Sequence, residues 1–140
     1  STIVDGSSGS GNGETEDEPW TKVELIQYLE SATPYQRLFL GALVQADIEP
    51  VKSKTVTFLM NKIAKLRPAE NIEKEVTGKH IGGAKSGLTR GRKALGKEDI
   101  IESSWSTQER DYIYNIKEDY KQTVTEWVKE ENLWVHEELS

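Results

Sequence analysis

A chain of 140 residues supports one domain with a real core and leaves little room for a second. With no cysteine and only two distant histidines, His80 and His136, it excludes disulfides and thiolate chemistry and offers no spacing for a zinc site. The net charge of -6 is unevenly placed: residues 1–19 carry five acids (Asp5, Glu14, Glu16, Asp17, Glu18) and no base, whereas residues 51–95 carry eleven Lys or Arg against three Glu, a local excess of +8. A basic centre between acidic ends still attracts phosphate, because attraction follows the local field.

Residues 1–19 read as a flexible acidic tail or linker, with a Gly/Ser run followed by a charge block. No apolar run approaches the roughly 18 residues of a membrane span, and no signal-peptide pattern is evident, so no membrane partner is expected and the cytoplasm is the expected compartment. Thr21 and Glu24 have capping-box spacing, which predicts a first helix with Val23, Leu25, Ile26 and Leu29 as its apolar set. It breaks near Ser31. Thr33, Pro34 and Gln36 then start a second helix over 34–46, with Leu38, Phe39, Ala42 and Leu43 as core, and 47–50 follows as a loop. Ser53 is the expected cap of a third helix over 54–66, packed through Val56, Leu59, Met60 and Ile63 and stopped by Pro68. A short helix is expected over 71–76, and Gly78, Gly82 and Gly83 are expected to form a turn.

The most informative segment is a helix predicted over 84–95. At 100° per residue, Ala84, Leu88, Gly91 and Leu95 share a core-facing side, and Ser86, Thr89, Arg90 and Lys93 face away, flanked by Lys85 and Arg92. Gly96 ends it. Strands are predicted over 99–105 and 112–116, joined by a polar turn over 106–111 that holds Arg110. A final helix over 118–136 carries Tyr120, Val124, Trp127, Val128, Trp134 and Val135 on one apolar stripe.

Helices, then a glycine-punctuated basic helix, then a hairpin, then a terminal helix is an order that resembles the winged helix-turn-helix superfamily. The segment SGLTRGRKALGKEDIIES (residues 86–103) is similar to that of MarR-like and related prokaryotic DNA-binding regulators, with Leu95-Gly96 closing the recognition helix and Ile100-Ile101 opening the wing. The resemblance covers roughly residues 34–136 and implies a mainly α fold with a small β-hairpin. It divides the chain into a tail (1–19), a winged domain (20–116) and a C-terminal helix (117–140). The 71–76 piece departs from the simplest version and leaves open which helix precedes the recognition helix. The resemblance also implies double-stranded DNA as partner and use in transcription, or in plasmid or phage DNA maintenance. Ser86, Thr89, Arg90 and Lys93 would meet base edges, and Lys79, Lys85, Arg92 and Arg110 would meet phosphates. The final apolar stripe has two readings, packing back on its own domain or burial against a twin helix; the resemblance implies the second, a homodimer through Tyr120, Val124, Trp127, Val128 and Trp134.

The same residues carry other readings. The run GKHIGGAKSG (78–87) places Ala84 where a phosphate-loop lysine is required, so nucleotide binding is not expected. Glu130, Glu131, Glu137 and Glu138 lack a histidine partner and read as solvated surface, which leaves no catalytic set, no cofactor and no metal site. The remaining alternative is a protein-docking module of the same fold that does not bind DNA.

Overall fold

The computed structural model describes residues 17–46, 50–67, 70, 72 and 74–133. In these residues the chain is mainly helical with a small antiparallel sheet, in the order α1 (Lys22–Glu30), α2 (Pro34–Gln45), β1 (Val51–Lys52), α3 (Ser53–Leu66), α4 (Gly78–Ala94), β2 (Ile101–Ser106), β3 (Asp111–Ile116) and α5 (Glu118–Glu130). The sheet order is β1-β3-β2. The acidic tail up to residue 16, the 47–49 loop, Pro68 and everything from Trp134 onward lie outside the described residues.

The first two helix starts follow their local chemistry. Thr21 Oγ1 accepts from the Glu24 backbone N–H at 3.2 Å, and Glu24 Oε1 accepts from the Thr21 N–H at 3.1 Å. Thr33 and Gln36 repeat the arrangement at 3.3 and 3.0 Å, with Pro34 at the first helical position. α1 buries Leu25, Tyr28 and Leu29, while Ile26 is half-buried and Val23, expected inside, is 67% exposed. α2 is different in kind: six consecutive residues, Leu38 to Leu43, are buried. A helix buried on every side has to be surrounded, and α2 packs on α3, α4, α5 and β3.

The third helix corrects the sequence expectation. Ser53 is its first residue and not its cap; Lys52 precedes it with no side-chain cap bond. The missing acceptor comes from across the sheet, where Asp111 Oδ2 accepts from the Lys54 backbone N–H at 3.0 Å. The predicted helix over 71–76 is absent from its described residues, since Ile72 and Lys74 to Val76 are not helical. Instead they form a strap held to α3 by Asn61, whose Nδ2 donates to Val76 O at 3.0 Å and whose Oδ1 accepts from Val76 N–H at 2.8 Å. α3 is therefore the helix that precedes α4.

A second correction concerns Gly78, Gly82 and Gly83. These form no turn; all three belong to α4, which begins a turn and a half before Ala84. The start is set at Thr77, whose backbone N–H donates to His80 Nδ1 at 3.0 Å, and the imidazole stacks on Tyr35 with centroids 4.6 Å apart. A histidine stands here where a capping box usually has Glu or Gln, so the sequence carries no ordinary start signal ahead of the glycines. Gly96, at φ +71, ends the helix as expected.

The hairpin is shifted from its predicted bounds. Asp99 Oδ1 accepts from the Ile101 N–H at 3.3 Å, so β2 opens at Ile101 and runs on to Ser106. Pairing runs from Ile101 opposite Ile116 to Ser106 opposite Asp111, and Arg110 takes a left-handed φ of 54 in the turn. β1 adds Val51 opposite Tyr114, and Tyr114 meets Phe39 of α2 edge to face at 5.4 Å.

The C-terminal helix also differs. α5 stops at Glu130, and Tyr120, Val124, Trp127 and Val128 are all buried within the single chain. These four have no surface left for a twin helix. They belong to one core that runs from Trp20 to Leu133, so α5 packs on its own domain. Trp134, the fifth residue expected at a dimer interface, lies outside the described residues. None of the helices described is long and apolar enough to cross a membrane, and no group of three or more metal-ligating side chains gathers among the described residues.

The tightest contact in this core is at Gly41. A Cβ there would stand 2.3 Å from the Leu133 backbone oxygen, which is itself held in the core. Gly41→Ala is expected to lower unfolding free energy by about 1–3 kcal/mol in a denaturant titration. An unchanged midpoint would contradict this packing.

Candidate functional site

α4 has two sides of opposite character. Ile81, Ala84 and Leu88 are buried. Gly87 and Gly91 are glycines for packing: a Cβ on Gly87 would meet the Gln36 amide at 2.3 Å, and one on Gly91 would lie 3.2 Å from the Tyr28 ring. Tyr28 also donates its hydroxyl to Leu88 O, and burial, reinforced by Asp99, pushes that phenol well above its ordinary value and keeps it protonated. The inner face of α4 is thereby pinned to α1 and α2.

On the outer side, Lys79, Gly82, Gly83, Ser86, Arg90 and Lys93 are exposed, and at 100° per residue they fall within an arc of about 100°. None of the three cations pairs with a described carboxylate. α4 contains no Asp or Glu. A Cβ on Gly82 or Gly83 would meet nothing within 4 Å. Each glycine inside a helix costs about 1 kcal/mol relative to alanine, and nothing among the described residues requires either of them.

Of the residues expected to touch bases, Ser86, Arg90 and Lys93 lie on this face. Thr89 is half-buried at its edge, and its hydroxyl accepts from Lys85 Nζ at 3.1 Å. Of those expected to touch phosphate, Lys79 stands in the first turn in line with Arg90. Lys85 and Arg92 do not reach the face. Their side chains are only 17% and 13% exposed, and both turn to Asp99 Oδ2, at 3.3 and 3.6 Å, while Arg92 also meets Asp17 at 2.8 Å. Asp99 can draw them because it stands in the short connection between α4 and β2. Leu95, expected in the core, is 59% exposed at the C-cap. Residues missed from the sequence are Gly82 and Gly83, which the misplaced turn hid; the signal for them was Thr77 three residues before a hydrogen-bonding His80.

At the end of α4 the chain is stitched by charge. Residue 18 bridges to residue 97, with Glu18 N–H donating to Gly96 O at 3.0 Å and Glu98 N–H to Glu18 O at 2.9 Å. Lys97 Nζ lies 2.8 Å from Glu24 and 3.3 Å from Glu18. Arg110, expected at phosphate, is exposed on the hairpin turn. Near it Trp105 and Tyr112, both about half exposed, pack edge to face at 5.1 Å.

No protein-family model, no curated protein and no solved structure matches this chain.

The Lys97 hydrogen bond, and after it the Thr21 N–H, hold the Glu24 carboxyl below its ordinary value of 4.5. A depressed carboxylate stabilises the fold above its unfolded pKa, and that share is lost as pH falls through the folded value. Glu24→Gln keeps the capping hydrogen bond and removes the charge. The stability of this variant is expected to fall less steeply than wild type between about pH 5 and pH 3. Parallel acid slopes by thermal melting would contradict the pairing.

Proposed function

We propose that this chain is a double-stranded DNA-binding domain of the winged helix-turn-helix kind, with α4 entering the major groove and the β2–β3 hairpin acting as the wing. The observation that carries this is the outer face of α4, where three unpaired cations stand among glycines and a serine with no acid on the helix. A groove about 12 Å wide admits a helix most closely when its leading face is slim. Exposed glycines that the fold does not need are explained by a partner that approaches the backbone. The element order supports the architecture: α2, β1, α3 and α4 followed by a hairpin whose inner strand also pairs with β1. Within it, Arg90 is suited to a two-bond contact with guanine, Ser86 and Lys93 to neighbouring edges, and Lys79 and Arg110 to phosphate. Transcriptional regulation is the use proposed for such a module.

The test is the fluorescence anisotropy of a labelled duplex across a salt series. Binding should weaken linearly in the logarithm of salt, and Lys79→Gln with Arg110→Gln, which removes the two phosphate contacts, should lower the slope by about 2 while leaving the melting temperature unchanged. No binding at low salt, or an identical slope in the double variant, would overturn the proposal. A second expectation separates function from fold. Gly82→Ala and Gly83→Ala should each raise stability, by up to about 1 kcal/mol, and weaken duplex binding. Variants that are more stable and bind equally well would show that the glycines serve no contact.

A further inference from the structure

The outer face of α3 differs in kind from that of α4. Here an aromatic ring stands among cations. Phe58 is 59% exposed, with Lys62 Nζ 4.8 Å over its ring. It lines a cleft of about 660 Å³ between α3 and the strap that leads into α4, whose walls also hold Lys54, Lys65, Lys74 and Ile72. Glu75 is the one acid among its described lining residues. Lys54, Lys65 and Lys74 form no ion pair with any described carboxylate, whereas Lys85, Arg92 and Lys97 are all paired. The cleft wall is held in place by the two Asn61 bonds to Val76, so the cleft is formed before anything enters it.

An exposed phenyl ring and a cluster of uncompensated lysines are both relieved by one kind of ligand: an acidic segment that carries an apolar side chain. An apolar centre with a charged rim is the anatomy of a protein interface, and phosphate tracking has no use for the apolar centre. We propose that this cleft is a docking site for an acidic segment of a partner protein, with an apolar side chain seated against Phe58 and Ile72 and carboxylates on Lys54, Lys65 and Lys74. The site is separate from the outer face of α4 and does not depend on what that face binds.

The test uses the full chain and three labelled probes at moderate salt: a peptide of alternating Glu and Leu, a polyglutamate of equal charge, and an oligothymidylate. The Glu/Leu peptide is expected to bind about tenfold more tightly than polyglutamate, because only it supplies the apolar anchor. Phe58→Ser and the pair Lys54→Glu with Lys65→Glu are each expected to weaken it about tenfold, and Arg90→Ala with Lys93→Ala is expected to leave it unchanged. These positions are on the surface, and a melting curve for each variant confirms that the fold is retained. Equal affinity for the two peptides, equal affinity of wild type and both cleft variants, or no peptide binding would overturn the proposal. So would oligothymidylate competing the peptide from the cleft, since that would make it a site for single strands.

Discussion

The constraint on which the structure depends is the burial of α2. Six consecutive residues from Leu38 to Leu43 are inaccessible, so this stretch has no solvent face, and α3, α4, α5 and β3 are placed by covering its sides. α3 and α5 close on it with Gly41 at the point where the chain after α5 presses closest, and Tyr114 brings the sheet onto Phe39. Arg37, near its start, reinforces the closure. It reaches Glu70 at 2.8 Å and Glu131 at 3.1 Å and lies over the Trp127 ring, which links the strap region to the end of α5. Those two carboxylates raise the Arg37 pKa further above its ordinary value.

What α2 does for function is to fix α4. The Gln36 amide lies over Gly87, Tyr28 over Gly91, and Tyr28 bonds Leu88 O, so the inner face has one register. The outer face is then presented at a fixed angle with its cations available. The charges beside it have been spent differently. Lys85, Arg92 and Lys97 neutralise Asp99, Asp17, Glu18 and Glu24, which joins the start of the described chain to the end of α4. Basic residues adjacent in sequence thus divide into two groups by their angle on the helix: those turned toward Asp99 hold the fold together, and those turned away stay exposed and pair with no described carboxylate.

Much of this was legible in the sequence where the signal was local. Both Thr-initiated helix starts, the buried stripes of α2 and α3, the Gly96 stop and the hairpin follow from spacing and residue type. What failed was non-local. Nothing near Ser53 announces that Asp111 will cap α3 from the opposite strand. Glycines at 78, 82 and 83 argue for a turn until the His80 cap and the buried Ile81 are seen to carry a helix through them. The apolar stripe of α5 has the same pattern whether it covers its own domain or a second copy, and only the packing of α5 against α1 and α2 decides in favour of the former. The ion pairs of Lys85 and Arg92 are not legible in the sequence because a cation on a helix carries no mark of the carboxylate that folding brings beside it.

The most direct measurement is a ¹H–¹⁵N correlation spectrum of the uniformly labelled chain titrated with a short random-sequence DNA duplex at low salt. Progressive shifts are expected at Lys79, Gly82, Gly83, Ser86, Arg90 and Lys93, with smaller ones on the hairpin near Arg110 and none on the buried residues of α5. Shifts confined to other surfaces, or a spectrum that the duplex leaves unchanged, would contradict DNA binding through α4.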